Sequence, residues 1–243
     1  MYELSDFSMK DMFRCGDQLC HMGDGARSME EAAQRITSFM HSNFIGRDGV
    51  PQCALVRFFK THTYDALPPD LRTHVDEIVG EEKRRLKPNT RCLTLLGTSG
   101  DLQEWNQRKA SAAHKAIPLI STSLVKEAPM IAQLIQQLGF DLSTVIKPDP
   151  EFLLNIGQHA LSVFYVPKAE GSPYVPVQKG FVMRYGIQSV LGFGGMFPSG
   201  EFFAVVLFTK VAVPLSTAQL FSTLALGVRT AITPFIHART FAE

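Results

Sequence analysis

With 243 residues, 45% of them apolar and 19% charged, the chain has the composition of an ordinary globular protein able to bury a sizeable core, which excludes a disordered or fibrous chain. A formal net charge of +1 supplies no broad field to hold a nucleic-acid backbone or an anionic membrane surface, so neither is expected as a partner. The longest uninterrupted apolar stretch, Phe202 to Phe208, is far short of the ~20 residues of a membrane-spanning helix, and the acidic start Met1-Tyr2-Glu3-Leu4-Ser5-Asp6 has no apolar signal core, so a cytoplasmic location is expected.

In chain order, two helical segments come first. Met12, Leu19 and Met22 recur loosely at helical spacing between Lys10 and Met22, and Gly23 with Gly25 breaks the run. Ser28 and Glu31 read as a capping box ahead of the apolar positions Met29, Ala32, Ile36, Phe39 and Met40, which predicts a second, amphipathic helix. Turn material over 46–51 leads into Cys53 to Thr61, rich in β-branched and aromatic side chains and read as a central strand. A polar helical stretch is expected over 69–82 and a second strand over 91–97. The basic run Lys83-Arg84-Arg85 with Lys87 follows two glutamates directly and reads as a solvated face.

The segment Thr98 to Thr122 is the least regular and holds the only tryptophan, Trp105, with Arg108, His114 and Pro118. A long excursion between strands is where binding function tends to sit. Ile131, Leu134, Ile135 and Leu138, closed by Gly139, predict another helix, and a short one is expected over 153–159. A strand over 161–166 ends at Pro167, a loop stiffened by two prolines covers 171–176, and 178–185 is expected to be a short helix. Residues 189–197 and 201–209 around Pro198-Ser199-Gly200 form the strongest hairpin signal in the chain. Ser216 and Gln219 repeat the capping-box pattern and open a closing helix with Leu220, Leu224, Val228 and Ile232 on one stripe.

This order of elements describes an α+β fold, a central antiparallel sheet of about five to six strands with the N- and C-terminal helices on one face and a long helical or irregular insertion. One domain over 1–243 is expected: helices over 1–45, the sheet over 53–215 with its insertion over 98–160, and a closing helix over 216–243. The final hairpin and helix, from Ser189-Val190-Leu191-Gly192-Phe193-Gly194 through 202–208 to 218–225, resemble the end of a GAF domain, and the segment 28–61 is similar to that family's start; the middle departs from it. The resemblance implies a sensory or regulatory module that binds a small molecule or relays a signal, dimerises through its terminal helices, and serves an output domain such as a histidine kinase or a cyclase. The chain itself carries no phosphate-binding loop or kinase motif, so no enzymatic activity is expected.

Chemistry is weighed against packing residue by residue. Gly192-Phe193-Gly194-Gly195 lies within a strand pattern, which points to a bulge or a close backbone approach and not to a phosphate loop. The spacing from Cys15 to Cys20 is too long for haem attachment, and none of the seven histidines forms a close metal-binding pair, so no metal site is expected and the cofactor is left open. Cys15, Cys20, Cys53 and Cys92 form no C-x-x-C pair and read as reduced thiols. Thiol-dependent reduction, known for GAF-like proteins similar to free-methionine sulfoxide reductases, is an alternative whose cysteine positions are not matched here. A ligand-free dimerisation module is the other. The candidate ligand-binding residues are Arg57, a cation in an apolar strand that needs a carboxylate, an anion or water, its neighbour Phe59, Cys92, and Trp105, Arg108 and His114 of the irregular segment.

Overall fold

The computed structural model describes residues 1–80, 86–111, 114–149, 152–153 and 162–242. Helices α1 (Met9–Cys20) and α2 (Met29–Asn43) precede strand β1 (Cys53–Thr63), and α3 (Pro69–Val79) leads to β2 (Arg91–Gly100). The excursion that follows contains 3-10 turns at Gln103–Trp105 and Arg108–Ala110, a short strand β3 (Ala116–Pro118), and helices α4 (Thr122–Lys126), α5 (Pro129–Gln137) and α6 (Leu142–Ile146). Strands β4 (Val163–Val166), β5 (Ser189–Met196) and β6 (Phe202–Thr209) and helix α7 (Leu215–Ile232) complete the order. A π-helical turn, Gln178–Met183, precedes β5.

All six strands form one antiparallel sheet in the order β3-β2-β1-β6-β5-β4. The two central strands explain their own composition. In β6 the apolar run divides between faces, with Phe203, Val205 and Leu207 in one core and Phe202, Ala204, Val206 and Phe208 in the other. An unbroken apolar run is what a strand buried on both faces requires.

The first core lies between the sheet and α1, α2 and α7, the second between the sheet and α4 to α6 with the π-helical turn. This is the expected α+β arrangement, with the terminal helices on one face of an antiparallel sheet; the insertion adds a helical layer on the other. On the helix face the fit is tight. A Cβ on Gly227 of α7 would lie 2.6 Å from the Gly16 carbonyl oxygen of α1, and one on Gly97 of β2 would lie 2.4 Å from the Ala33 carbonyl oxygen of α2. Backbones approach this closely only where side chains are absent.

The helix ends test the capping expectations. Ser28 caps α2 by accepting the Glu31 N–H, but the Glu31 carboxylate turns to Arg27 and Arg35 and does not return to the cap. The reciprocal box is instead at Ser8 and Asp11, opening α1. Ser216 is not a cap: α7 begins at Leu215, with Pro214 at the N-cap position two residues ahead of the expected one. Gly139 ends α5 with φ 88°, as its position predicts. The second strand runs on to Gly100, past the expected end at 97. Gly194 meets the Phe203 backbone of a regular β5–β6 ladder, a close approach rather than a bulge. Beyond Leu153, the helix expected over 153–159 falls outside the described residues.

Candidate functional site

Arg57 stands in the middle of β1, directly opposite Thr98 on β2 and Val206 on β6. Directly paired residues share a face, and Val206 belongs to the core beneath the insertion, so Arg57 and Thr98 point toward the insertion. The Arg57 Nη2 donates to Ser111 Oγ at 3.2 Å. Burial holds the guanidinium down at about 10, against its ordinary 12.5. The Thr98 hydroxyl is buried with no hydrogen-bond partner among the described residues.

His114 joins this group through its field. It adopts a left-handed backbone, φ 59°, and desolvation first, then the charges of Arg57 and of His74 on α3, push its pKa below the usual imidazole value. His74 Nε2 is itself buried without a partner among the described residues. Arg57 is thus the charged centre of this group, with the hydroxyls of Ser111 and Thr98 on its face, and His114, exposed at the edge of the insertion, feels its charge.

The other sequence candidates divide. Phe59 is on the same face, 3% exposed, and is a core side chain between Leu95 and Ala204. Trp105 packs the excursion onto the sheet: its ring centroid lies 4.7 Å from Tyr185 and 5.7 Å from Phe181, which in turn stacks edge-on against Phe208. Cys92 is not part of the site. It faces the helix side, buried in a small cluster with Leu67, Leu71, Val75 and Ala116, because β2 alternates it away from Leu93 and Leu95.

Arg108 does not reach the site either. It is 3% exposed and donates to Glu30 on α2 at 2.9 Å and to Asp70 at the start of α3 at 3.1 Å. No sequence signal pairs these residues, which lie 78 and 38 positions away.

Sequence reasoning also missed the polar centre on the helix face. Lys60, 2% exposed, has its Nζ 3.9 Å from Glu201 Oε1, and burial, opposed by Glu201 and aided by Arg91, lowers its pKa to about 8. His62 two residues on is buried, and burial first, then the charge of Lys60, push its pKa well below the usual imidazole value, opposed by a hydrogen bond with the Lys60 backbone. A charged residue in an otherwise apolar strand was the available signal.

The thiols are dispersed over α1, β1 and β2. Burial pushes Cys15, Cys53 and Cys92 up to about 12, the opposite of what a nucleophilic thiolate needs. Among the described residues no group of histidine, cysteine and carboxylate side chains could hold a metal ion, and no helix is long and apolar enough to cross a membrane. Two surface clefts, of about 410 and 290 Å³, lie away from Arg57, one beside Tyr2, Asp11 and Arg14 and the other beside Tyr165, Glu170 and Tyr174.

No family model matches the chain, and no curated protein matches it. Among solved structures it is similar to a free methionine-R-sulfoxide reductase from Neisseria meningitidis in complex with its substrate, at 11% identity and a TM-score of 0.48 over 97% of this chain and 95% of that one. The chromophore-binding domain of a Stigmatella aurantiaca bacteriophytochrome matches at 7% identity and a TM-score of 0.40, covering 95% of this chain and 60% of that one. That of an unusual bacteriophytochrome from R. palustris matches at 7% and 0.41, covering 94% and 62%. The chain therefore spans about three fifths of the length of these phytochrome domains. Scores below 0.5 at such identities transfer neither ligand nor chemistry, and the fold stands on the strand order and helix placement described above.

Proposed function

We propose that the chain is a regulatory module that senses a small anionic molecule at the inner edge of its insertion and passes the signal to an output domain, of kinase or cyclase type, without chemistry of its own. The observation that carries this reading is the Arg57 guanidinium on the insertion face, bonded to the Ser111 hydroxyl and paired across the strands with Thr98, whose hydroxyl is buried and unpartnered among the described residues. Such an arrangement favours a carboxylate or phosphate group, which accepts charge-assisted hydrogen bonds from a guanidinium and completes a hydroxyl's bonding. The four free cysteines suit a reducing, cytoplasmic setting. A thiol-dependent reductase is disfavoured by the burial of Cys15, Cys53 and Cys92.

Calorimetry with inorganic phosphate and with a dicarboxylate such as succinate tests the reading. One of them binds the parent, and Arg57→Met weakens it by ~tenfold or more, the scale of one charge-assisted bond. If neither binds and Arg57→Met changes stability alone, the sensing site is elsewhere or absent.

A second observation favours relay through a homodimer, with or without ligand. Along α7 the exposed positions Ser216, Gln219, Thr223, Leu226 and Thr230 fall at alternating spacings of three and four and carry no charge, beside exposed Met9 and Phe13 of α1. Uncharged side chains at that spacing suit a helix–helix seam with a second copy. Leu226→Glu is expected to convert a dimer to a monomer in sedimentation; a parent that stays monomeric at high concentration refutes the seam.

A further inference from the structure

The 3-10 turn Arg108–Ala110 and the residue after it hold contacts of two kinds. At one end, Ser111 takes the Arg57 guanidinium at 3.2 Å, inside the candidate site. Three residues earlier, Arg108 leaves the insertion for the helix face, where it bonds Glu30 and Asp70 and lays its guanidinium carbon 5.7 Å from the centre of the Phe241 ring.

Phe241 belongs to a strap, residues 239–242, drawn across the first turn of α2. The carbonyl oxygens of Arg239 and Thr240 accept the N–H groups of Met29 and Glu30, at 3.0 and 2.8 Å, and the Ala242 N–H donates to the second carboxylate oxygen of Glu30 at 3.0 Å. The first N–H groups of a helix need acceptors from outside it; here a segment beyond α7 supplies them. Glu30 is the hub, one oxygen on Arg108 and the other on the strap.

Beneath the strap is His62, buried, with its ring 5.4 Å from that of Phe241. Burial strips the His62 imidazole of its hydration, and lifting Phe241 restores part of it. The contacts of Arg108 and Glu30 hold the strap down against the hydration of His62. A segment tied at its rim over a buried imidazole is the kind of element that opens as a unit.

We propose that residues 108–111 are a joint through which a change at the Arg57 end loosens or tightens the 239–242 strap on α2. The proposal rests on the sensing reading for its natural input, whereas the joint itself is a property of the contacts just described.

Hydrogen–deuterium exchange on the full chain, read in peptides covering 28–32 and 236–242, tests it. Arg108→Met is expected to raise exchange there ~tenfold or more, as loss of a charge-assisted bond does. Phe241→Ala, which removes the ring over His62 and Arg108 together with its packing on the apolar clusters of that face, serves if Arg108→Met fails to fold, and is expected to act in the same direction. Unchanged exchange in the folded variant overturns the strap. Ser111→Ala, which touches neither α2 nor the strap in the contacts above, is the decisive arm: a rise of a few fold in the strap peptides supports the joint, and exchange altered only around Arg57 overturns it. Inorganic phosphate is then added to the parent at the saturation set by calorimetry. Phosphate bound with no change in the strap overturns the coupling, while absence of phosphate binding counts against the sensing site and leaves Ser111→Ala to decide the joint.

Discussion

Lys60 gives the sharpest quantitative test of the structure. Its side chain is buried between β1 and the helix face, with Glu201 at 3.9 Å, a long contact to the Thr61 carbonyl at 3.4 Å and the Phe197 ring at 6.0 Å. Burial is the largest influence, and the pKa falls from 10.5 to about 8 in spite of Glu201. At about 1.4 kcal/mol per pKa unit, keeping this ammonium charged in the folded protein costs about 3 kcal/mol. The sign follows from proton counting. Below pH 8 the lysine is charged in both states and the cost is fully present; between about 8 and 10.5 the unfolded chain binds more protons than the folded one, so stability rises with pH. Lys60→Met removes the ammonium, and Glu201 retains Ser199 and Arg91 beside it. Urea unfolding at a series of pH values is the assay, read as variant minus parent so that the buried thiols, which titrate equally in both, cancel. The variant is expected to be more stable at pH 7.5, and its margin to fall by about 3 kcal/mol as the pH approaches 10.5. A pH-independent difference, or a variant less stable than the parent at pH 7.5, refutes the burial of a charged lysine at this place.

Two further expectations follow from packing. Gly97→Ala places a methyl 2.4 Å from the Ala33 carbonyl oxygen of α2, so the helix must back away from β2, and a loss of about 1–3 kcal/mol with a lowered Tm is expected; a change below ~0.5 kcal/mol in thermal unfolding would mean that α2 is not seated on β2. With a thiol-specific disulfide reagent at pH 8, the partly exposed Cys20 is expected to react in the native protein, and Cys15, Cys53 and Cys92 only after urea is added. Ready native reaction of the three buried thiols would reopen the reductase reading.

The Arg57 site was half legible in the sequence. A cation in an apolar strand draws attention by itself, and His114 stood out in an irregular segment, but Arg108 was drawn into the same site only because it shares that segment, and Cys92 because it opens the neighbouring strand. Strand alternation sends Cys92 to the opposite face. Arg108 crosses the open edge of β2 to reach Glu30 and Asp70, a route that no local pattern encodes. Trp105 had two readings, ligand reporter or packing residue, and its contacts with Tyr185 and Phe181 favour packing.

The sequence by itself determined what depends on neighbours within a few residues: the helices over Met9–Cys20, Met29–Asn43 and Pro129–Gln137, the hairpin of β5 and β6, and the glycine stop after α5. Periodicity and capping are local physics, and so is the α+β class that their order implies. The tertiary structure alone decided which face each residue of a doubly buried strand presents, since an unbroken apolar run such as that of β6 has no polar phase to read. It alone decided the partners of Arg57, Lys60, Arg108 and His62. A buried polar group is satisfied, or left unsatisfied, by whatever the fold brings within about 3 Å, and separations of dozens to hundreds of residues, as between Glu30 and Ala242, leave no trace in local pattern.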